Sequence, residues 1–72
     1  MKRTKTEKAL MQAAQKVFWK YGYKKVNIND ICAEAEVSKM SFYRYFNNKM
    51  DIAGQVLENY IDKGIKEHRK IL

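Results

Sequence analysis

Apolar residues in the first third of the chain recur with a helical period. Leu10, Ala13, Ala14, Val17, Phe18 and Tyr21 fall at the i, i+3, i+4, i+7, i+8, i+11 spacing of one helix face. The pattern predicts a helix from Thr6 to Tyr21, with Thr6 as N-cap and Glu7 at the positive end of the helix dipole. Gly22 is expected to take the left-handed C′ conformation, with Tyr23 supplying the apolar contact that often accompanies such a cap. A shorter pattern follows, in which Ile28, Ile31, Cys32 and Ala35 share a face. Asn27 is its N-cap, Asp30 stands at the third helical position, and Val26 just before the cap is placed to staple against Ile31. The segment "EAEV" then carries the chain through a tight turn.

The next stretch, "VSKMSFYRYFNNK" at residues 37–49, mixes aromatic surface with positive charge. Ser38 caps a third helix. Successive helical residues are about 100° apart, so residues two apart lie nearly opposite and residues four apart share a side. Phe42 and Phe46 therefore face one way, and Met40 and Arg44 the other. The phenylalanines are expected to anchor this helix to a core. Lys39, Met40, Ser41, Tyr43 and Arg44 are left to the outside or the flanks. A fourth helix is expected from Asn48, its N-cap, to about Lys70. Its stripe of Ile52, Ala53, Val56, Leu57, Tyr60, Ile61, Gly64, Ile65 and His68 is longer than three short helices can cover.

Composition narrows the function. Seventy-two residues without proline make one small helical domain. Cys32 is the only cysteine, so no disulfide forms within the chain, and a small buried hydrophobe is the expected role. One histidine and one cysteine make no zinc pattern, so no metal or other cofactor is expected. No nucleophile–base pair, paired carboxylate set or phosphate-cradling glycine loop points to an enzyme. The apolar residues are spaced rather than continuous, which fits neither a signal peptide nor a membrane span.

The net charge of +7 is unevenly placed. Residues 1–25 carry eight cations and one anion, residues 26–37 three anions alone, residues 38–49 three cations alone, and residues 50–72 four of each sign. The excess sits in the first third and on the third helix. That is either a solvated basic face or the footprint of a polyanion. Lys2, Arg3 and Lys5 read as a disordered tail or as an arm reaching toward DNA. Trp19 lies opposite the core stripe of the first helix.

A short helix, a tight turn and a second helix with an outward polar face make a helix-turn-helix, whose second helix enters the DNA major groove. The letters are more specific than the spacing. "GYKKVNINDICAEAEVSKMSFYRYFNNKMDI", residues 22–52, resembles the N-terminal DNA-binding domain of TetR family transcriptional regulators. Gly22, Tyr23, Asn27, Ile28, Ile31, Ala35, Val37, Ser38, Ser41, Phe42, Tyr43, Tyr45, Phe46 and Lys49 sit at matching positions. With the first helix the resemblance covers roughly residues 5–58.

The resemblance implies an all-α fold, a three-helix homeodomain-like helix-turn-helix bundle followed by a fourth connecting helix. Residues 1–58 would be the DNA-binding domain. Residues 59–72 would continue the fourth helix toward an absent ligand-binding and dimerisation domain. It implies a cytoplasmic, bacterial regulator, a repressor by the family's usual habit. Its partners would be double-stranded DNA with a palindromic operator, a second copy in the full-length homodimer, and a small-molecule inducer held by the absent domain. As this fragment the chain would be a monomer or a weak dimer. By position, Lys39, Met40, Ser41 and Tyr43 would approach base edges. Asn27, Ser38, Tyr43, Tyr45 and Lys49 would contact phosphate. Asn48 and Lys49 would also offer backbone N–H groups at the start of the fourth helix. Arg44 reads as a phosphate contact or a solvated surface charge.

Three residues depart from the family pattern. Glu36 stands where glycine is usual, and a positive φ there costs roughly 1–2 kcal/mol. Cys32 replaces the usual alanine. Met40 is larger than usual and would touch a thymine methyl or fill the gap to DNA. From another class, a basic helical module that binds an anionic membrane surface or an acidic protein partner remains the alternative. The apolar face of the first helix is needed by the core, which counts against membrane burial.

Overall fold

A computed structural model describes residues 3–59, and these form four α-helices joined by short turns. Helix α1 spans Lys5–Tyr21, a single 3-10 turn Tyr23–Lys25, helix α2 Ile28–Ala35, helix α3 Lys39–Tyr45, and helix α4 residues 49–59. No strand occurs among the described residues, which is the expected fold class. The expected run of α4 to Lys70, with Tyr60, Ile61, Gly64, Ile65 and His68, lies outside the described residues.

One buried cluster joins all four helices. Leu10, Met11, Ala13, Ala14 and Val17 come from α1, Val26 from the turn, and Ile31 and Cys32 from α2. Phe42 and Phe46 come from the α3 segment and Ile52 from α4. Phe42 and Phe46 are 0% and 2% exposed, and their ring centres lie 5.6 Å apart. Each such ring contributes roughly 1.5–3 kcal/mol by leaving water. They fix the roll of α3 about its own axis, and with it the direction of every other side chain on that helix.

The ends of the helices explain the turns. Helix α1 begins earlier than the sequence pattern predicts. Thr4, not Thr6, is the N-cap, and its hydroxyl accepts from the Glu7 N–H at 3.1 Å. The T-x-x-E spacing of Thr4 and Glu7 is the capping-box signature that distinguishes the two threonines. Gly22 does take a positive φ, but with φ 90° and ψ 150° it is not left-handed helical. That extended, glycine-only conformation redirects the chain into the 3-10 turn. Tyr23 then packs on Phe18 with centroids 5.5 Å apart, the expected apolar contact.

At α2 the expected cap is a reciprocal capping box. The Asn27 side chain accepts from the Asp30 N–H at 2.9 Å, and the Asp30 carboxylate accepts from the Asn27 N–H at 3.0 Å. Val26 and Ile31 are both in the core, as the staple requires. The helix ends in a Schellman motif. The Val37 N–H donates to the Cys32 carbonyl at 3.0 Å and the Glu36 N–H to the Ala33 carbonyl at 3.2 Å. Glu36 occupies the left-handed position at φ 60°, ψ 43°, where it bears the strain that glycine avoids.

Candidate nucleic-acid interface

Helix α3 follows directly from that turn. Ser38 caps it, accepting from the Ser41 N–H at 3.1 Å and donating to the Ser41 hydroxyl at 3.2 Å. With Phe42 and Phe46 inward, Lys39, Met40, Tyr43 and Arg44 are exposed and Ser41 is half-buried. Met40 is 76% exposed, a large apolar side chain held in water on the outer face. Tyr43 forms a T-shaped pair with Phe42, centroids 5.3 Å apart, and is exposed. Tyr45 is half-buried and packs against the core, so its ring is committed to the fold.

The start of α4 is capped in a related way. The Asn48 side chain accepts from the Asp51 N–H at 2.8 Å, and the Asp51 carboxylate accepts from the Asn47 N–H at 2.8 Å. That backbone donor, and then Gln55 at 3.1 Å, hold the Asp51 carboxyl below its ordinary pKa. These two bonds fix the approach of α4 to α3.

Lys49 has partners that its sequence position does not reveal. Its ammonium donates to the Tyr23 carbonyl at 2.9 Å and lies 4.2 Å from the centre of the Tyr23 ring. The lysine thus ties the start of α4 to the 3-10 turn. Around this tie a depression of about 500 Å³ opens on the surface. Asn27, Lys39, Tyr43 and Lys49, all singled out from the sequence, line it together. Lys24, Lys25 and Asn29 line it as well, and the sequence pattern did not mark them. Their place depends on the 3-10 turn and on α2 meeting α3, which no local spacing encodes. Ser38, Met40, Ser41, Arg44, Tyr45 and Asn48 do not line it. They lie on or beside α3 and at the start of α4.

The electrostatics of the surface follow from where its acids are used. Glu7 pairs with Arg3 at 2.6 Å, Glu34 with Lys16 at 3.0 Å, and Asp30 and Asp51 cap helices. No acid other than the capping Asp30 and Asp51 stands between residues 24 and 32 or between residues 38 and 57, and neither of these two lines the depression. Arg3 also donates to Gln55 at 2.9 Å, so the head of α1 is tied to α4. Lys2 lies outside the described residues. Cys32 is buried, and burial raises its thiol pKa while Lys39 opposes the rise. It packs as a small hydrophobe and offers little thiolate. No group of side chains among the described residues is arranged to hold a metal ion, and none of the described helices is long and apolar enough to cross a membrane.

Comparison with known proteins agrees with this geometry. The family model for bacterial regulatory proteins of the tetR family matches residues 10–56. The chain is 40% identical over 60 residues to the HTH-type transcriptional repressor DhaR of Mycobacterium sp. (strain GP1). That alignment covers 83% of this chain and 30% of the repressor. It is 35% identical over 57 residues to the HTH-type transcriptional regulator YuxN of Bacillus subtilis, covering 79% of this chain and 20% of that protein. It is 30% identical over 60 residues to the HTH-type transcriptional repressor ComR of Escherichia coli, covering 83% and 29%. The chain therefore aligns with less than a third of the length of each of these relatives. No solved structure gives a significant match.

Proposed function

The chain belongs to the tetR family of bacterial regulatory proteins, and from that premise we propose that it is the sequence-specific DNA-binding domain of a transcriptional repressor, with residues 38–46 in the major groove. The carrying observation is the burial of Phe42 and Phe46, which turns Lys39, Met40 and Tyr43 outward on one rigid helix. Lys39, Met40, Ser41 and Tyr43 read base edges. Lysine and serine offer donors to purine and pyrimidine edges, and the Met40 side chain offers apolar surface to a thymine methyl. Asn27, Ser38, Arg44, Tyr45, Asn48 and Lys49, with the Tyr43 hydroxyl, hold phosphates and set the register. The N-terminus of α4 adds its free N–H groups and dipole.

The whole regulator, on this reading, is a cytoplasmic homodimer that places two copies of α3 on a palindromic operator. A C-terminal domain carries the dimer contact and the small-molecule inducer site. Three features support it. Two aligned relatives are named repressors. All three are more than three times the aligned length. The exposed Trp19 and Leu57 line an apolar groove of about 220 Å³ between α1 and α4, which suits contact with a further domain. Without the effective-concentration gain of a tethered second half-site, this domain by itself would bind weakly.

The test is a titration of the chain into mixed-sequence duplex DNA and into vesicles of anionic phospholipid, each over a salt series. Duplex binding that weakens steeply with salt, with little binding to vesicles, is expected. Binding to vesicles but not to duplex would move the function to the membrane-surface class.

A further inference from the structure

We propose that Lys24 and Lys25 form a second anchor for the DNA phosphate backbone, built on the 3-10 turn and separate from the recognition helix. Such an anchor rests on the reading that α3 docks on DNA. Gly22, at φ 90° and ψ 150°, turns the chain out of α1 so that the two lysines project from a turn rather than continue a helix. The turn is held on three sides. Tyr23 packs on Phe18, the Lys49 ammonium holds the Tyr23 carbonyl and ring, and Val26 is 1% exposed in the core. The lysine backbones are therefore fixed, and only the flexible side chains remain to be ordered on binding.

Their surroundings point to a polyanion. Lys24, Lys25, Lys39 and Lys49 line one concave surface together with Asn29 and Tyr43. No acid is among the residues that line it, and Asp30, which lines the neighbouring depression, is engaged in the α2 capping box. The side chains of Lys24 and Lys39 make no hydrogen bond or ion pair among the described residues. Four like charges around one depression repel each other, and a bound anion relieves that repulsion. Lys25 also borders a neighbouring depression that holds Asp30 and Glu34, so part of its field is offset there and Lys24 makes the larger contribution. Continuity selects duplex DNA rather than a free anion. Lys39 and Tyr43 belong both to the depression and to the outer face of α3, so a phosphate bound here neighbours the bases that α3 reads. A surface of this kind adds affinity without adding sequence preference.

The test compares the Lys24→Gln/Lys25→Gln variant with a charge-matched Lys8→Gln/Lys20→Gln variant altered on α1, outside the depression. Each is titrated into mixed-sequence duplex over a salt series, with folding checked by circular dichroism. Each phosphate contact contributes about 0.9 to the slope of log K against log salt. The slope of the first variant is expected to fall by about 1–2 units below the wild type. The charge-matched variant is expected to stay within about 0.3 of the wild type. A salt-dependent wild type with the first variant unchanged, or shifted only as far as the charge-matched one, overturns the second anchor. A wild type whose duplex binding ignores salt overturns the interface reading itself, and the second anchor falls with it.

Discussion

The ammonium of Lys49 donates to the Tyr23 carbonyl at 2.9 Å and sits 4.2 Å from the centre of the Tyr23 ring, joining two segments 26 residues apart in sequence. A cation in the first turn of a helix is disfavoured by the helix dipole. The Tyr23 carbonyl and ring offset that cost, and on the proposed function a DNA phosphate would be a further partner for the same charge. Lys49→Ala should therefore act twice. It should lower stability by about 1–2 kcal/mol, because a charged hydrogen bond and a cation–π interaction of a half-exposed group are removed. It should also lower the salt slope of DNA binding by about one unit. Denaturant unfolding and duplex titration read the two effects separately. A loss of stability with an unchanged slope assigns Lys49 to the fold and removes it from the phosphate-holding set.

Gly22 and Glu36 make opposite predictions from the same backbone physics. Gly22 has φ 90°, and no atom lies within 4 Å of the place an alanine Cβ would occupy, so the cost of Gly22→Ala is conformational rather than steric crowding. That cost is about 1–3 kcal/mol. Glu36 is a non-glycine residue at φ 60°. Glu36→Gly should raise stability by about 1 kcal/mol, the relieved strain less the added entropy of an unfolded glycine. It also removes an acid from the turn that leads into α3, so duplex affinity should rise. Unfolding midpoints that move the other way would contradict the strain assigned to these two positions.

Asp51 predicts a pH dependence. Its folded-state pKa is held low by the Asn47 N–H, then by Gln55. Its contribution is therefore complete above the ordinary carboxylate value of about 3.9 and is lost as pH falls through the lowered folded value. The stability gap between the wild type and Asp51→Asn should be constant near neutral pH and close only in acid below about pH 4. A gap that closes between about pH 5 and pH 7 would contradict this assignment.

Base reading and phosphate holding separate by mutation. Lys39→Ala and Ser41→Ala should change which sequences are preferred, by about 1–3 kcal/mol for each good base-edge interaction removed. Arg44→Ala should weaken all sequences alike. Selection of bound duplexes from a random pool by each variant distinguishes the two. Identical selected sequences from the Lys39 variant and the wild type would remove Lys39 from the base-reading set.

Much of the fold is legible in the residue pattern, because it rests on local rules. The four-residue spacing of Phe42 and Phe46 gives the roll of α3, and Asn27 with Asp30 gives the start of α2. The start of α1 is less obvious, since Thr4 and Thr6 are chemically equal caps and only Glu7, three residues after Thr4, separates them. The conformation of Gly22 is hidden for a different reason. Glycine permits several positive-φ states, and the choice is made by the packing of Tyr23 and Val26 beyond it. The Lys49–Tyr23 tie and the gathering of Lys24 and Lys25 with Lys39 are long-range, and no period along the chain reports them.

The outer face of α3 as the DNA surface is tested most directly by backbone amide NMR of the chain titrated with duplex DNA. The largest shifts are expected at residues 38–46, at Asn27, and at Asn48 and Lys49, with little change at Phe18, Trp19, Val56 and Leu57 in the apolar groove. Shifts centred on that groove, with residues 38–46 unmoved, would contradict it.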